Sequence, residues 1–267
     1  MCIRDRANVG GRKGRVNGYV SVNHDRTAGD RENSAFHITN GFANIGCELS
    51  KHFSLRADVS IADFRAENPG QITAPLFDNT VDVLRGVTSF TVANNFKHSD
   101  GALSFFYNWG YHEINDGYKT GEKPLNYRYH SRDYNYGILF YQIVRMWKGN
   151  MLTLGFDYKS YGGKAWNHFL TETPDKVMVD TSAYDLGGYA ILQQNLFKDV
   201  LTLNAGVRLE HNEAFGNKWI PQLGLALRPT ENFVIKSSFS KGFRNPTIRE
   251  MFMCCLLYTS DAADEAR

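Results

Sequence analysis

Residues 151–161 read MLTLGFDYKSY. Leu152, Leu154, Phe156 and Tyr158 fall on one side of an extended chain, and Thr153, Gly155, Asp157 and Lys159 fall on the other. Strict alternation of this kind marks a β-strand whose two faces meet different solvents. The period of two recurs along the chain. Phe53, Leu55, Ala57, Val59 and Ile61 oppose Ser54, Arg56, Asp58 and Ser60. Leu103, Phe105, Tyr107, Trp109 and Tyr111 oppose Ser104, Asn108 and His112. Leu201, Leu203, Ala205, Val207 and Leu209 oppose Thr202, Asn204, Gly206, Arg208 and Glu210. The pattern predicts roughly eleven strands of about 9–15 residues. Strands of ordinary globular proteins are nearer five or six residues, whereas an oblique crossing of a bilayer takes about 9–11.

The connections sort by length. Short turns fall at 50–52, 97–101, 148–150, 198–199 and 229–232. Longer polar loops are predicted over 25–35, 65–80, 114–132 and 162–182, and only 211–218 is short on that side. Short connections at one end and long ones at the other are the pattern of a transmembrane barrel. Phe53, Phe96, Trp147, Phe197 and Phe233 stand beside the short turns, and Phe64, Tyr111, Tyr161 and Trp219 stand at the opposite ends. Barrels carry such aromatic girdles at both membrane boundaries. Arg56, Asp58, Asp157, Lys159, Arg208, Glu210 and Lys236 lie mid-strand or near it, and a wide barrel gives them a wet or plugged lumen in which to pair. The expected fold is therefore all-β: a partial transmembrane antiparallel up-and-down β-barrel of about 10–11 strands. Two rivals share the strand pattern. A passive outer-membrane porin needs no plug, and a soluble β-sheet binding domain would bury Leu154 and Phe156 under a second layer.

Composition narrows the class further. Mean hydropathy is −0.40, which a barrel tolerates because lipid-facing and lumen-facing residues average out. No apolar run reaches the about 18 residues of a membrane-crossing helix. A net charge of +2 with scattered lysines and arginines gives no footprint for nucleic acid. The chain has no H-E-x-x-H, G-x-S-x-G, Walker or dinucleotide motif, so no enzyme activity is expected.

The two ends read differently from the rest. One codon set for the opening Met-Cys-Ile-Arg-Asp has a reverse complement that encodes Cys-Leu-Leu-Tyr-Thr, the sequence of 255–259. Both ends resemble translated sequencing adapters. Residues 1–6 and 255–267 are accordingly set apart from the barrel segment at 7–254, and the native chain is expected to continue in both directions. Cys47 is then the one secure cysteine, too few for a disulfide framework or a zinc site.

Residues 206–211 (GVRLEH), 221–225 (PQLGL) and 242–250 (GFRNPTIRE) follow one another at fixed spacing. They resemble the barrel of TonB-dependent outer-membrane receptors, where a GVRxEH strand precedes a P-x-L-G-L strand and a motif close to GFRAPTLREL. Asn245 stands in place of the usual alanine. The resemblance implies a Gram-negative outer membrane and a barrel of about twenty-two strands around an N-terminal plug. It implies active uptake of a scarce nutrient such as an iron-siderophore, haem or cobalamin, without choosing among them. Its partners would be outer-membrane lipid, the small nutrient and the TonB complex, the last through a plug missing from this chain. No resident cofactor is implied. Gly242, Phe243, Arg244, Pro246, Arg249 and Glu250 would form an architectural cap at a strand end. Gly242 can release the ladder, and Pro246 can open a helical turn.

Ligand contacts are expected in the long outer loops. The segment 126–134 (NYRYHSRDY) offers Tyr127, Tyr129, His130 and Arg132, and 161–170 adds Trp166 and His168. Rings suit stacking on a ligand, and an arginine fork suits an anionic group. A haem cargo would use His130 or His168 as an axial ligand.

Overall fold

An alternating segment becomes a strand only when a neighbour satisfies its backbone, and each hairpin of this chain supplies that neighbour. The computed structural model describes residues 2–230, 232–242 and 244. Its strands are β1 (Cys2–Lys13), β2 (Val16–Thr27), β3 (Phe36–Glu48), β4 (Phe53–Glu67), β5 (Gly70–Gln71), β6 (Ala74–Phe96) and β7 (Ser99–Lys119). They continue with β8 (Tyr127–Val144), β9 (Asn150–Phe169), β10 (Lys176–Leu196), β11 (Leu201–Asn212), β12 (Gly216–Thr230) and β13 (Phe233–Ser240). They lie in one sheet in chain order, with the two-residue β5 set off against β6. The registers of β1 to β4 and of β10 to β13 are antiparallel. No helix occurs among the described residues. This is the all-β, antiparallel up-and-down order that the period of two predicts.

Two expectations need correcting. Among the described residues twelve strands follow one another, with β5 beside them, where roughly eleven were expected, and several exceed the predicted length: β6 has 23 residues, β7 21, β9 20 and β10 21. The segments 65–80, 114–132 and 162–182, expected as loops, are largely strand. Only 120–126 separates β7 from β8, and 170–175 separates β9 from β10. Polarity suggested loops here, but polarity reports the surrounding solvent. Runs such as Tyr127-Arg128-Tyr129 and Val177-Met178-Val179 carry aromatic and β-branched residues that favour the pleated backbone in any solvent.

The connection expected to be short on the long side is short for a visible reason. Asn212 is almost wholly buried. Its Oδ1 accepts from the backbone N–H of Ala214 at 2.8 Å and of Phe215 at 2.9 Å, while its Nδ2 donates to Asp185. One side chain thus stands in for the backbone partners of the turn. Gly216 closes it with φ +67°, a conformation that glycine adopts without strain.

Among the described residues, the buried apolar side chains are Val83, Ala102, Ala165 and Ala183. Such small side chains make no core for a second layer to cover. Phe105, Leu154, Phe156 and Leu203 are 42, 44, 43 and 39% exposed, against the soluble-sheet expectation that Leu154 and Phe156 are buried. Phe53, Phe96, Trp147, Phe197 and Phe233, beside the short turns, are all exposed.

The chain divides into two compact units. The first comprises residues up to Val92, Phe105–Tyr136 and Tyr161–Thr181; the second comprises Ala93–Ser104, Gly137–Ser160 and the chain from Ser182 onward. Residues 2–6 pair with Asn23–Thr27 as part of β1. A backbone ladder accepts any such residue, so the pairing carries no information about their origin. Of the cap motif, Gly242 and Arg244 follow β13 outside any strand. Phe243, Pro246, Arg249 and Glu250 lie outside the described residues, as do residues 255–267.

Candidate functional site

In the first unit one face is polar. Asp58 accepts from Asn44 Nδ2 at 2.6 Å and from Arg56 Nη2 at 2.9 Å, and Ser89 Oγ reaches it at 3.3 Å. Arg85, four residues before Ser89 on β6, shares that face. Its Nη2 donates to both oxygens of Asp133 at 2.7 and 2.6 Å. His112 joins from β7, with Nδ1 3.1 Å from Ser131 Oγ and 3.6 Å from Asp133 Oδ1. Gly110 makes room, because a Cβ there would sit 2.6 Å from Asp133 Oδ1 and 2.8 Å from Arg85 Nη2. Burial pushes the His112 imidazole pKa down, the Asp133 carboxylate pulls it up, and Arg85 adds to the lowering.

The other face of the same unit is apolar and carries the exposed side chains Val59, Ile61, Phe105 and Tyr107. Further along β7, with the same parity as Phe105, stands Tyr111. A ring cluster forms around it. Tyr111 Oη lies 2.6 Å from His130 Nδ1. His130 stacks on Trp166 with centroids 5.5 Å apart and planes 13° apart, and meets the edge of His168 at 5.6 Å. The Arg132 guanidinium lies over Tyr111 at 5.6 Å and over Trp166 at 5.8 Å. Burial lowers the His130 pKa, with smaller and opposed effects of Glu113 and Asp175 (raising) and His168 and Arg132 (lowering). Burial, reinforced by Glu113, raises the Tyr111 pKa. Both shifts favour the neutral forms, a phenol and an imidazole sharing one hydrogen bond whose direction is set by the histidine tautomer.

The six residues chosen from sequence thus split between the faces. His130, Arg132, Trp166 and His168 come together on the apolar face. Tyr127 and Tyr129 share parity with Ser131 and Asp133, and so point to the polar face, where Tyr127 meets Phe169 edge-on at 6.0 Å. All six lie on β8 and β9 rather than in loops, which corrects their expected location. For a haem cargo, His130 has one nitrogen engaged by Tyr111 and a ring face covered by Trp166. His168 Nδ1 is 2.9 Å from Asp175 Oδ1. Sequence reasoning missed Arg85, His112 and Asp133. The available signal was Gly110, a side-chain gap within an otherwise aromatic strand.

The second unit has its own polar face, and the expected charges pair there. Arg208 binds Asp157 through two parallel contacts of 2.7 Å and donates from Nε to Glu210 at 2.8 Å. Tyr189 lies under the guanidinium at 5.9 Å. Lys159 Nζ is 2.9 Å from Asp185 Oδ2. On the opposite side of β11 stand the exposed Leu203, Val207 and Leu209.

Long antiparallel strands in chain order, exposed apolar faces and paired charges on the reverse define a section of β-barrel wall. A family model described as "TonB dependent receptor-like, beta-barrel" matches residues 8–256, and the chain belongs to that family. It is similar to the ferripyoverdine receptor of the Pseudomonas aeruginosa outer membrane bound to ferripyoverdine, with a TM-score of 0.74 and 12% identity over 90% of this chain and 40% of that one. It is similar also to the siderophore receptor PirA of Pseudomonas aeruginosa, with a TM-score of 0.67 and 13% identity over 92% and 40% of the two chains. A third likeness is to the RagAB peptide importer, with a TM-score of 0.64 and 11% identity over 84% and 33%. At these identities the likeness is one of fold. The chain spans about two fifths of the length of the receptors it matches. A search of curated proteins gave no match.

Proposed function

We propose that this chain is part of the barrel wall of a TonB-dependent receptor in a Gram-negative outer membrane, one that imports a scarce nutrient. The observation that carries the reading is the division of solvent between faces. Phe105, Leu154, Phe156 and Leu203 are exposed with no layer over them, which is favourable only if lipid is the solvent on that side. Arg85–Asp133 and Arg208–Asp157–Glu210 are paired on the reverse, as charges lining a lumen should be. Tyr127 and Tyr129, together with His112, are then the residues of this chain placed to meet cargo. Gly242 to Glu250 would cap a strand end at the rim. TonB would act through a plug supplied by the rest of the receptor.

The test uses the full receptor in its own host. It should fractionate with the outer membrane. Its deletion and the deletion of TonB should abolish growth on the same member of a panel of ferric siderophores, haem and cobalamin supplied as sole sources. Uptake that survives loss of TonB would favour the porin instead, and recovery of the receptor from cytosol without detergent would end the membrane reading.

A further inference from the structure

In the first unit, β6 and β7 outrun both of their neighbours. β4 stops at Glu67, and the bond from Asn68 N–H to Asn79 O, 3.0 Å long, marks that level on β6. β8 starts at Tyr127, and Arg128 Nη2 lies 3.6 Å from Asp78 Oδ2. Beyond Asp78 and Gly117 the pair is flanked only by its own extensions. On one side β5 folds back on β6, with Gly70 opposite Pro75 and Gln71 opposite Ala74. On the other is the 120–126 connection. Counted from the short turn at 97–98, this level lies beyond the about 9–11 residues that cross a bilayer.

Both strands leave the regular pleat at that same level. Asp78 has φ +55° and Gly117 φ +69°. They face each other, because a Cβ at Gly117 would stand 2.4 Å from Phe77 O and 3.0 Å from Asn79 N. A left-handed residue in one strand makes a bulge; one in each strand, set opposite, makes a line about which the pair can bend. Asn115, only 5% exposed, spans that line. Its Nδ2 donates to Asp78 Oδ2 at 2.8 Å, and its Oδ1 accepts from Gly117 N–H at 3.2 Å. Past the line Phe77 and Tyr118 meet with ring centroids 5.7 Å apart, which joins the two strand ends to each other. The exposed Arg31, from the β2–β3 connection, donates from Nη2 to Gly70 O at 2.6 Å and ties the far end to the wall. A bend held by a sheet needs flanking strands on both sides. Here both neighbours end at the bend, and the buried Asn115 side chain takes over their task. Resting on the outer-membrane reading above, we infer that Asp78 and Gly117 form a two-strand hinge latched by Asn115, on which residues 69–77 and 118–126 swing as one arm at the outer end of the receptor.

The experiment measures spin-label distances by double electron–electron resonance in the full receptor, purified from outer membranes into detergent micelles after replacement of its native cysteines. One label pair, His37→Cys with Ile72→Cys, runs from β3 to the arm. A second pair, His37→Cys with Arg132→Cys, stays on the near side of the hinge. All three positions are exposed. The wild type should give one narrow distance for each pair. Asn115→Ala combined with Arg31→Gln should split the arm distance or broaden it roughly twofold, and should leave the second pair unchanged. Asn115→Ala alone should act in the same direction to a smaller extent. An arm distance as narrow in the double variant as in the wild type overturns the hinge, since the bend is then fixed. Broadening of both pairs, or a wild-type arm distance already as broad as that of the variant, overturns Asn115 as the latch. A receptor absent from the outer membrane would instead overturn the reading beneath it.

Discussion

Arg208 and Arg132 show what the two sides of the sheet demand of the same side chain. Arg208, on the polar face of the second unit, is satisfied at Nε, Nη1 and Nη2 by Asp157 and Glu210 and is backed by Tyr189. Arg132, on the apolar face of the first unit, lies against Tyr111 and Trp166 instead. A charge kept from bulk water needs a counter-charge and hydrogen bonds. A charge at an interface needs only something to lean on while its head stays wet. The first arrangement is closed by its counter-charges, whereas the second leaves the guanidinium exposed.

The sharpest way to break the comparison is to move an arginine by one residue. Val207 precedes Arg208 on β11, points to the other face and is exposed. Val207→Arg should cost about 2–4 kcal/mol, the penalty for a cation on the lipid face near mid-depth. Asn204→Arg, on the polar face, should cost less than about 1 kcal/mol. Urea-driven unfolding of the receptor in lipid vesicles distinguishes the two. Equal costs would mean that the faces do not differ in solvent.

Removing a partner comes next. Asp157→Asn leaves Arg208 with Glu210 alone and should cost about 1–3 kcal/mol, below the range for a fully buried pair because the side chains are 18 and 29% exposed. Arg132→Gln, which takes away only ring contacts at the surface, should cost less than about 1 kcal/mol. A smaller effect tests how closely Arg208 is fenced. Gly187 has no Cβ, and one built there would stand 2.3 Å from Arg208 Nη2 and 2.8 Å from Asp157 Oδ2. Gly187→Ala should lower stability by about 1 kcal/mol, since the end of an arginine can shift. No change on unfolding would show that the ion cluster is loosely packed.

Much of this was legible in the sequence, and the failures have one cause. Alternation announced the strands, and the charges at Asp157, Arg208 and Glu210 announced a face on which to pair. Strand ends were misjudged because tyrosine and threonine continue a ladder through water as readily as valine does through lipid. The site residues were misassigned for the same reason. In 126–134 adjacent residues look equally suited to a ligand, yet period two sends His130 and Arg132 to one face and Tyr129 and Asp133 to the other. Composition cannot show that split, and parity shows it only once the segment is known to be strand. Gly110 marked a gap in an aromatic strand without saying what filled it, and Gly187 was silent, because a missing Cβ acquires meaning from the neighbour that takes its place.

The smallest effect sharpens the ring cluster itself. His130 has a pKa held below the ordinary 6.5 by burial, among Tyr111, Glu113, Arg132, Trp166, His168 and Asp175. In the unfolded chain the same imidazole takes up its proton at the ordinary value, so between the two values the unfolded state binds more protons. Stability from this group is therefore present above about pH 6.5 and is lost as pH falls toward the lowered folded value. His112, on the opposite face, is shifted in the same direction and adds its own loss over the same range. The two contributions are separated by comparing the receptor with its His130→Gln variant at pH 7.5 and 5.5. The wild type should lose more of its unfolding midpoint than the variant, which keeps a hydrogen-bonding group facing Tyr111 but cannot titrate. Parallel losses would mean that His130 is already protonated or already wet, and a wet ring at that position would not hold Trp166 flat enough to support Arg132.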